Sequence, residues 1–314
     1  MLIHKIENRL KEERYVDRYQ AKLAKLLDKI DTRLARTFKK ANREGRWSNA
    51  ELAKYNRDMK LRDQIRREVV AYRRDVTRDY RDDLARLYKN ETLFTQDMLR
   101  NIPQLGITNE LNTLPTQAIK SEVVDAVQIK GKTMVEYVRK YGQDVAFRVE
   151  QEVFESVALG EHPRKTTRRL RHLEQSMSNR VEMTVRSWNN AIYNRANDMV
   201  YDQAGIEKLL YLATLDIGTC PECAVDHNKI FRRDEIILLP RHPQCRCTYA
   251  PYIAGMVEEA RSYTDWLGDG RRSDAQLEDI TGQIRGFMRR GRITKREGNH
   301  LLGIIGSVTQ QRSR

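Results

Sequence analysis

The chain has 314 residues, of which 39% are hydrophobic and 32% charged, with a formal net charge of +14. That length allows one to three domains, and a charged fraction above the usual mix predicts long solvated helices around a thin core. With 7 prolines and 16 glycines a large all-β protein is excluded, and no apolar run approaches the ~18–20 residues that a membrane span needs.

The positive excess sits in residues 1–90 and 281–314, and the stretch between them is slightly acidic overall. Basic ends predict an acidic partner. Double-stranded DNA is the obvious one, because neutralising phosphates requires only Lys and Arg; the plainer reading is a solvated helix face. Met1-Leu2-Ile3-His4-Lys5-Ile6-Glu7 turns charged at once, so no signal peptide is expected and the chain is read as made in the cytoplasm.

Leu23, Leu27, Ile30, Leu34 and Phe38 recur at helical spacing, which predicts one helix over residues 1–44, stopped at Gly45. In Trp47-Ser48-Asn49-Ala50-Glu51-Leu52, Ser48 and Glu51 can form a capping box and Trp47 can staple onto Leu52. A second helix is expected over 49–89, with Leu61, Ile65, Val69, Tyr72, Val76, Tyr80, Leu84 and Leu87 on one stripe. The two form a long basic antiparallel hairpin whose narrow seam suggests a coiled coil. Tyr72 and Tyr80 belong to that seam rather than to a base-stacking platform, which needs exposed rings.

Pro103, Gly106 and Pro115 mark a boundary within 101–120. A helix is expected from Pro115 to about residue 128, with a break at Gly131. Thr133 and Glu136 form the next capping box, opening a helix to Gly160 in which Gly142 is a candidate kink. A short basic helix at 165–173 precedes an amphipathic one with Val181, Val185, Trp188, Ile192 and Met199 on its face, closed by Gly205. Trp188 is assigned to the core, and Asn189, Asn190, Asn194 and Asn197 to the polar face.

All four cysteines fall between 220 and 247. Cys220-Pro221-Glu222-Cys223 is followed by His242-Pro243-Gln244-Cys245-Arg246-Cys247. A Cys-x-x-Cys turn and a second donor group returning from a distance can complete the tetrahedron that zinc requires. Cys245 and Cys247 are two apart, and in an extended segment they would point to opposite faces. The favoured ligands are therefore Cys220, Cys223, His242 and Cys245, with Cys247 as substitute. Four protein ligands leave no open position, which marks a structural rather than a catalytic site. Reduced unliganded thiols and disulfides are the alternatives. Around the motif, Leu209-Leu210-Tyr211-Leu212-Ala213-Thr214-Leu215 reads as a buried strand, Lys229-Ile230-Phe231 as its hairpin return and Arg246-Cys247-Thr248-Tyr249 as a third strand.

Leu212-Ala213-Thr214-Leu215-Asp216, Thr219-Cys220-Pro221-Glu222-Cys223, Lys229-Ile230-Phe231 and His242-Pro243-Gln244-Cys245-Arg246-Cys247 together resemble the phage Mu protein F-like minor head family, over roughly residues 145–253. The resemblance implies a non-enzymatic minor capsid protein in the head interior of the virion. Such a protein is taken up near the portal during head morphogenesis, in contact with portal and scaffold or capsid protein. It also implies contact with the packaged DNA and ejection along with it.

After Pro251, Ser273–Gln276 and Thr294–Glu297 are capping boxes for two more helices, with Leu277, Ile280, Ile284 and Phe287 on the first and 301–308 in the second. Between them Arg289-Arg290-Gly291-Arg292 is a basic break, and the tail from Gln310 is expected to be loose. The fold class expected is mainly α: a long N-terminal hairpin (1–100), a helical middle carrying a small zinc-knuckle β-hairpin module, α+β (101–253), and a helical basic C-terminal extension (254–314). The chain carries no phosphate-binding glycine loop and no His-Glu-x-x-His. Asp226-His227 beside the Cys-x-x-Cys raises an HNH-like nuclease as an alternative; its distance from Cys223 is too short for the intervening strand, and His227 is expected at a solvent-exposed hairpin tip. A zinc-dependent nucleic-acid-binding protein is the other alternative.

Overall fold

A computed structural model describes residues 2–43, 45–107, 111–252 and 261–312. The described chain is mainly helical with small antiparallel strands. It divides into two units: Met1–Lys89, Leu114–Ile192 and His242–Gln244 form one, and Asn90–Thr113, Tyr193–Arg241 and Cys245–Arg314 form the other. No described helix is long and apolar enough to cross a membrane.

In the first unit, α1 (Leu2–Ala41) is followed by a tight pair of strands, β1 (Asn42–Arg43) and β2 (Arg46–Trp47), then α2 (Asn49–Ala53) and α3 (Arg57–Arg100), whose last turns belong to the second unit. Ser48 Oγ accepts from Glu51 N at 3.3 Å. Glu51 does not return the cap, because the Ser48 amide already donates to Ala41 O at 2.9 Å; Glu51 pairs with Lys54 and Arg57 instead. Trp47 does pack against Leu52, with Ala41 and Phe38 completing the cluster.

Chain direction follows from the ion pairs. Arg18 meets Asp83, Lys22 meets Asp79 and Arg33 meets Glu68, so α1 and α3 run antiparallel. After a short α4 (Thr116–Ala118), which continues as a π-helical turn over Ile119–Val124, a two-strand hairpin forms from β3 (Gln128–Ile129) and β4 (Lys132–Thr133). The hairpin turns through Lys130 and Gly131 at φ 51° and 70°, the left-handed pair that such a loop demands. Helix α5 (Met134–Ala158) opens on the full Thr133–Glu136 capping box. It runs unbroken through Gly142, where a Cβ would lie 3.3 Å from the Arg73 side chain; the glycine admits α3 rather than kinking α5.

Helix α6 (Pro163–Gln203) is one element of 41 residues. The two helices expected over this stretch are continuous, since 174–180 holds neither glycine nor proline to part them. Arg169 bonds Glu152 at 2.5 Å and Arg180 bonds Asp144 at 2.9 Å, Arg66 bonds Glu150 at 2.8 Å, and Gln20 Nε2 donates to Ser178 O while Arg186 bonds Glu13. Each neighbouring pair is antiparallel, so α1, α3, α5 and α6 form an up-down-up-down four-helix arrangement. Its interior holds Leu23, Ile30, Leu34, Ile65, Leu84, Val145, Val149 and Trp188, all buried.

Polar groups inside this interior are paired by shape. Tyr80 donates to Val185 O at 2.9 Å and lies 3.1 Å from Asn189 Oδ1, which places Asn189 inside the bundle instead of on its polar face. Asp83, 2% exposed, accepts from Tyr19 at 2.6 Å. Its Arg18 and Arg86 partners are 51% and 63% exposed and add little; the buried Tyr19 hydroxyl is what makes Asp83 matter, since orphaning it costs about 1–3 kcal/mol.

In the second unit, Gly205 at φ 67° closes α6, and a three-stranded antiparallel sheet follows in the order β6-β5-β7, from β5 (Lys208–Leu212), β6 (Ile230–Arg232) and β7 (Thr248–Pro251). Leu209 faces Phe231 and Tyr211 faces Tyr249 in the register. Between β5 and β6 stands α7 (Pro221–Val225). The sheet packs with Leu99, Leu111, Val200, Tyr201 and Ile206 around three of the cysteines. Thr95 donates to Asn197 at 2.6 Å and Gln96 to Leu111 O at 3.1 Å, so Asn197 too is an interior residue.

The C-terminal helices α8 (Tyr263–Gly268), α9 (Asp274–Arg289) and α10 (Lys295–Arg312) each begin with a capping pair, at Ser262–Asp265, Ser273–Gln276 and Thr294–Glu297. Leu267, Leu277, Ile280, Ile284, Leu301 and Ile305 bury together against Ala224 and Val225 of α7. The end of α10 is anchored, not loose: Arg312 bonds Asp274 at 2.8 Å. Of the expected tail, 313 and 314 lie outside the described residues.

Candidate metal centre

Beyond β5 the chain makes a tight loop. Asp216 Oδ1 accepts from Gly218 N at 2.9 Å, an Asx turn, and Thr219 Oγ1 accepts from Asp216 N at 3.0 Å. Arg246 forks onto Asp216, with one bond at 2.6 Å, and its carbonyl accepts from Thr214 Oγ1 at 3.1 Å. The loop before the first cysteine pair is thereby tied to the segment of the second.

Cys220 is the N-cap of α7, its sulfur 3.4 Å from Cys223 N, with Pro221 in the first turn, where its missing N–H is no loss. That single turn brings Cys220 and Cys223 to one side. Hydrogen bonding from Cys223, first through its side chain and then through its amide, lowers the Cys220 thiol below its ordinary range against the opposing effect of burial.

Cys223, Cys245 and Cys247 are all buried, and their sulfurs lie within 4.8 Å of one another. Hydrogen bonding with the Cys223 and Cys245 thiols, together with burial, pushes the Cys247 thiol strongly up. The reason for ranking Cys247 behind Cys245 fails here: β7 begins only at Thr248, Gln244 turns at φ 61°, and the 245–247 segment is not an alternating strand. Asn194, assigned from sequence to a polar face, donates Nδ2 to Cys247 O at 3.2 Å and holds this segment. The second grouping with ligand spacing is Cys220, Cys223 and His242; the His242 ring Nδ1 is 2.9 Å from Pro243 O. Cys223 is common to both groupings. None of the four cysteines is in a disulfide.

This donor set fits a zinc-like cation. Zn–S bonds of about 2.3 Å define a tetrahedron with edges of about 3.8 Å, and the sulfurs of Cys223, Cys245 and Cys247 already lie within 4.8 Å of one another. Arg241 braces the module: 8% exposed in its side chain, it bonds Asp226 at 2.5 Å and Glu222 O at 2.8 Å, with its guanidinium 5.3 Å from the Tyr211 ring centre. Composition and spacing carried no signal for Arg241 or Asn194, whose roles exist only once the loops are folded.

His227 is half-buried, not a free tip. Its Nδ1 accepts from Ala213 N at 3.0 Å and its Nε2 is 3.1 Å from Arg261 O, which describes a neutral ring with the proton on Nε2. Asp226 beside it bonds Lys229 at 2.7 Å in addition to Arg241.

The helical bundle and the small thiol-lined sheet define a mainly α protein with a candidate metal centre. Residues 147–250, from within α5 to within β7, match the family model described as Phage Mu protein F like protein. The match supports the resemblance carried by the cysteine motifs, and it suggests a phage head-related structural protein that interacts with other head proteins in the virion. No curated protein and no solved structure matches the chain.

Proposed function

We propose that this chain is a non-enzymatic minor head protein, taken up near the portal during head assembly, whose cysteine module is clamped by zinc. Cys220, Cys223 and Cys245 hold the ion and either Cys247 or His242 closes the site. When bound, the cation would supply charge neutralisation for crowded thiolates and no reaction step. The observation that carries the reading is the convergence of buried sulfurs in a segment matching the family. The ring nitrogens of His227 are both engaged and Asp226 is held by two cations, an arrangement that favours structure over the nuclease, whose base needs a lone pair toward water. Cross-linking mass spectrometry on purified virions tests the reading: the protein is expected at low copy with links to the portal. Particles that lack it defeat the proposal.

Contact with packaged DNA belongs to the same proposal. The α9–α10 turn presents Arg285, Arg289, Arg290, Lys295 and Arg296, all exposed, whereas neighbouring Arg292 is bonded to Glu222 at 2.6 Å. Each phosphate neutralised adds about −0.9 to the slope of log affinity against log salt. Changing Arg285, Arg289, Arg290 and Arg296 together to Gln is expected to weaken duplex binding about equally for any sequence and to flatten that slope by about 2–4. An unchanged slope in a fluorescence-anisotropy titration removes this turn as the contact.

A further inference from the structure

Tyr211 lies in the middle of β5 with no exposed surface. Its ring is fixed edge-on by Tyr249 at 5.4 Å and Phe231 at 6.2 Å. The hydroxyl is buried without a well-formed hydrogen bond, and the groups it interacts with are the thiols of Cys223 and Cys247. A buried O–H without a good acceptor is unfavourable, and the acceptors it interacts with here are the two thiols. A neutral thiol is a weak acceptor; a thiolate held by a cation is a much better one.

We propose that Tyr211 is a positioning residue of the metal centre, its hydroxyl donating to the sulfur of Cys223 or Cys247 once that sulfur is a metal-bound thiolate. The inference rests on the metal reading above and goes beyond it by assigning the donor that orients a ligand. The group is pre-placed: aromatic neighbours fix the ring, and the strand pairing of Tyr211 with Tyr249 fixes the backbone. Donors of this kind set the orientation and basicity of ligands, and their loss commonly weakens binding 10–100-fold. The hydrogen bond also lowers the energy of the sulfur lone pairs, so it must be visible in any transition that starts from them.

The test is Tyr211→Phe in the full chain, with cobalt(II) as the probe ion. Wild type is expected to develop a sulfur-to-cobalt charge-transfer band. Tyr211→Phe should bind about 10–100-fold more weakly, with the band moved to longer wavelength. Equal affinity and an unshifted band overturn the role of Tyr211 while leaving the metal centre intact. A wild-type chain that gives no such band overturns the metal reading itself, and this inference with it. Should Tyr211→Phe fail to fold, wild type loaded with cadmium-113 supplies the second readout: a slowly exchanging Tyr211 hydroxyl proton coupled to the metal supports the proposal, and its absence overturns it.

Discussion

Cys223→Ser is expected to abolish stoichiometric zinc binding and unfold residues 208–251, while the bundle of the first unit keeps its helical signal. Cys223 is the residue common to both ligand groupings, so no choice of fourth ligand spares it. The strands it would release are short, Lys208–Leu212, Ile230–Arg232 and Thr248–Pro251, and a small sheet of this kind is stable only against a packed face. That face is partly made of Cys223, Cys245 and Cys247 themselves. Structural zinc contributes an apparent ~10–16 kcal/mol at neutral pH, comparable with or larger than the ~5–15 kcal/mol net stability of a whole domain. Loss of one ligand therefore outweighs any single packing change in the module. Because the ligands bind as thiolates, zinc affinity should also fall as pH drops, with protons released on loading. Hydrogen exchange followed by mass spectrometry reads the result: amides of 208–251 lose protection after chelation or in Cys223→Ser, and those of α5 keep it. Comparing Cys247→Ala with His242→Ala by zinc titration then identifies the closing ligand, since only one of them should reproduce the Cys223 phenotype. Full protection of 208–251 in the metal-free chain removes the clamp from the account.

What the sequence disclosed and what it withheld divide by range. The Thr133–Glu136, Ser273–Gln276 and Thr294–Glu297 boxes were readable because a cap is settled within four residues, and all three form. The strands flanking the cysteines were readable for the same reason, as short apolar runs between turn signals. The gathering of the cysteines was readable from metal-ligand spacing; which of His242 and Cys247 closes the site was not. Cys247 was ranked on an alternation that holds only inside a strand, and the strand starts one residue later. The partners of Asn189, Asn194 and Asn197 were not readable, because Tyr80, the Cys247 carbonyl and Thr95 are brought to them by packing over long separations. The same is true of Asp83, which the fold places against Tyr19. Helix periodicity gave the apolar faces of α1, α3 and the second half of α6, but not which faces meet; that order shows only in contacts between distant residues, such as Arg66 with Glu150.

Trp188 turns that distinction into the second large prediction. It was assigned to the core on spacing alone, and it is 1% exposed, edge-on to Tyr137 at 4.7 Å. Its neighbours along the same face of α6, Val185 and Ile192, are equally buried. Trp188→Ala should therefore destabilise the bundle by about 3–5 kcal/mol, the range for emptying an aromatic site that cannot collapse. Trp188→Phe should behave differently. The indole Nε1 is buried without a hydrogen-bond partner, so a smaller ring forfeits some apolar contact but also relieves an unsatisfied donor. The two effects oppose, and a cost below about 1.5 kcal/mol is expected. Urea unfolding followed by far-UV circular dichroism measures both, since the helices of the bundle dominate that signal. A Phe variant as unstable as the Ala variant would mean that the indole nitrogen has an acceptor in solution and that the site depends on it. A benign Ala variant would mean that α6 does not pack through the face that carries Val185, Trp188 and Ile192.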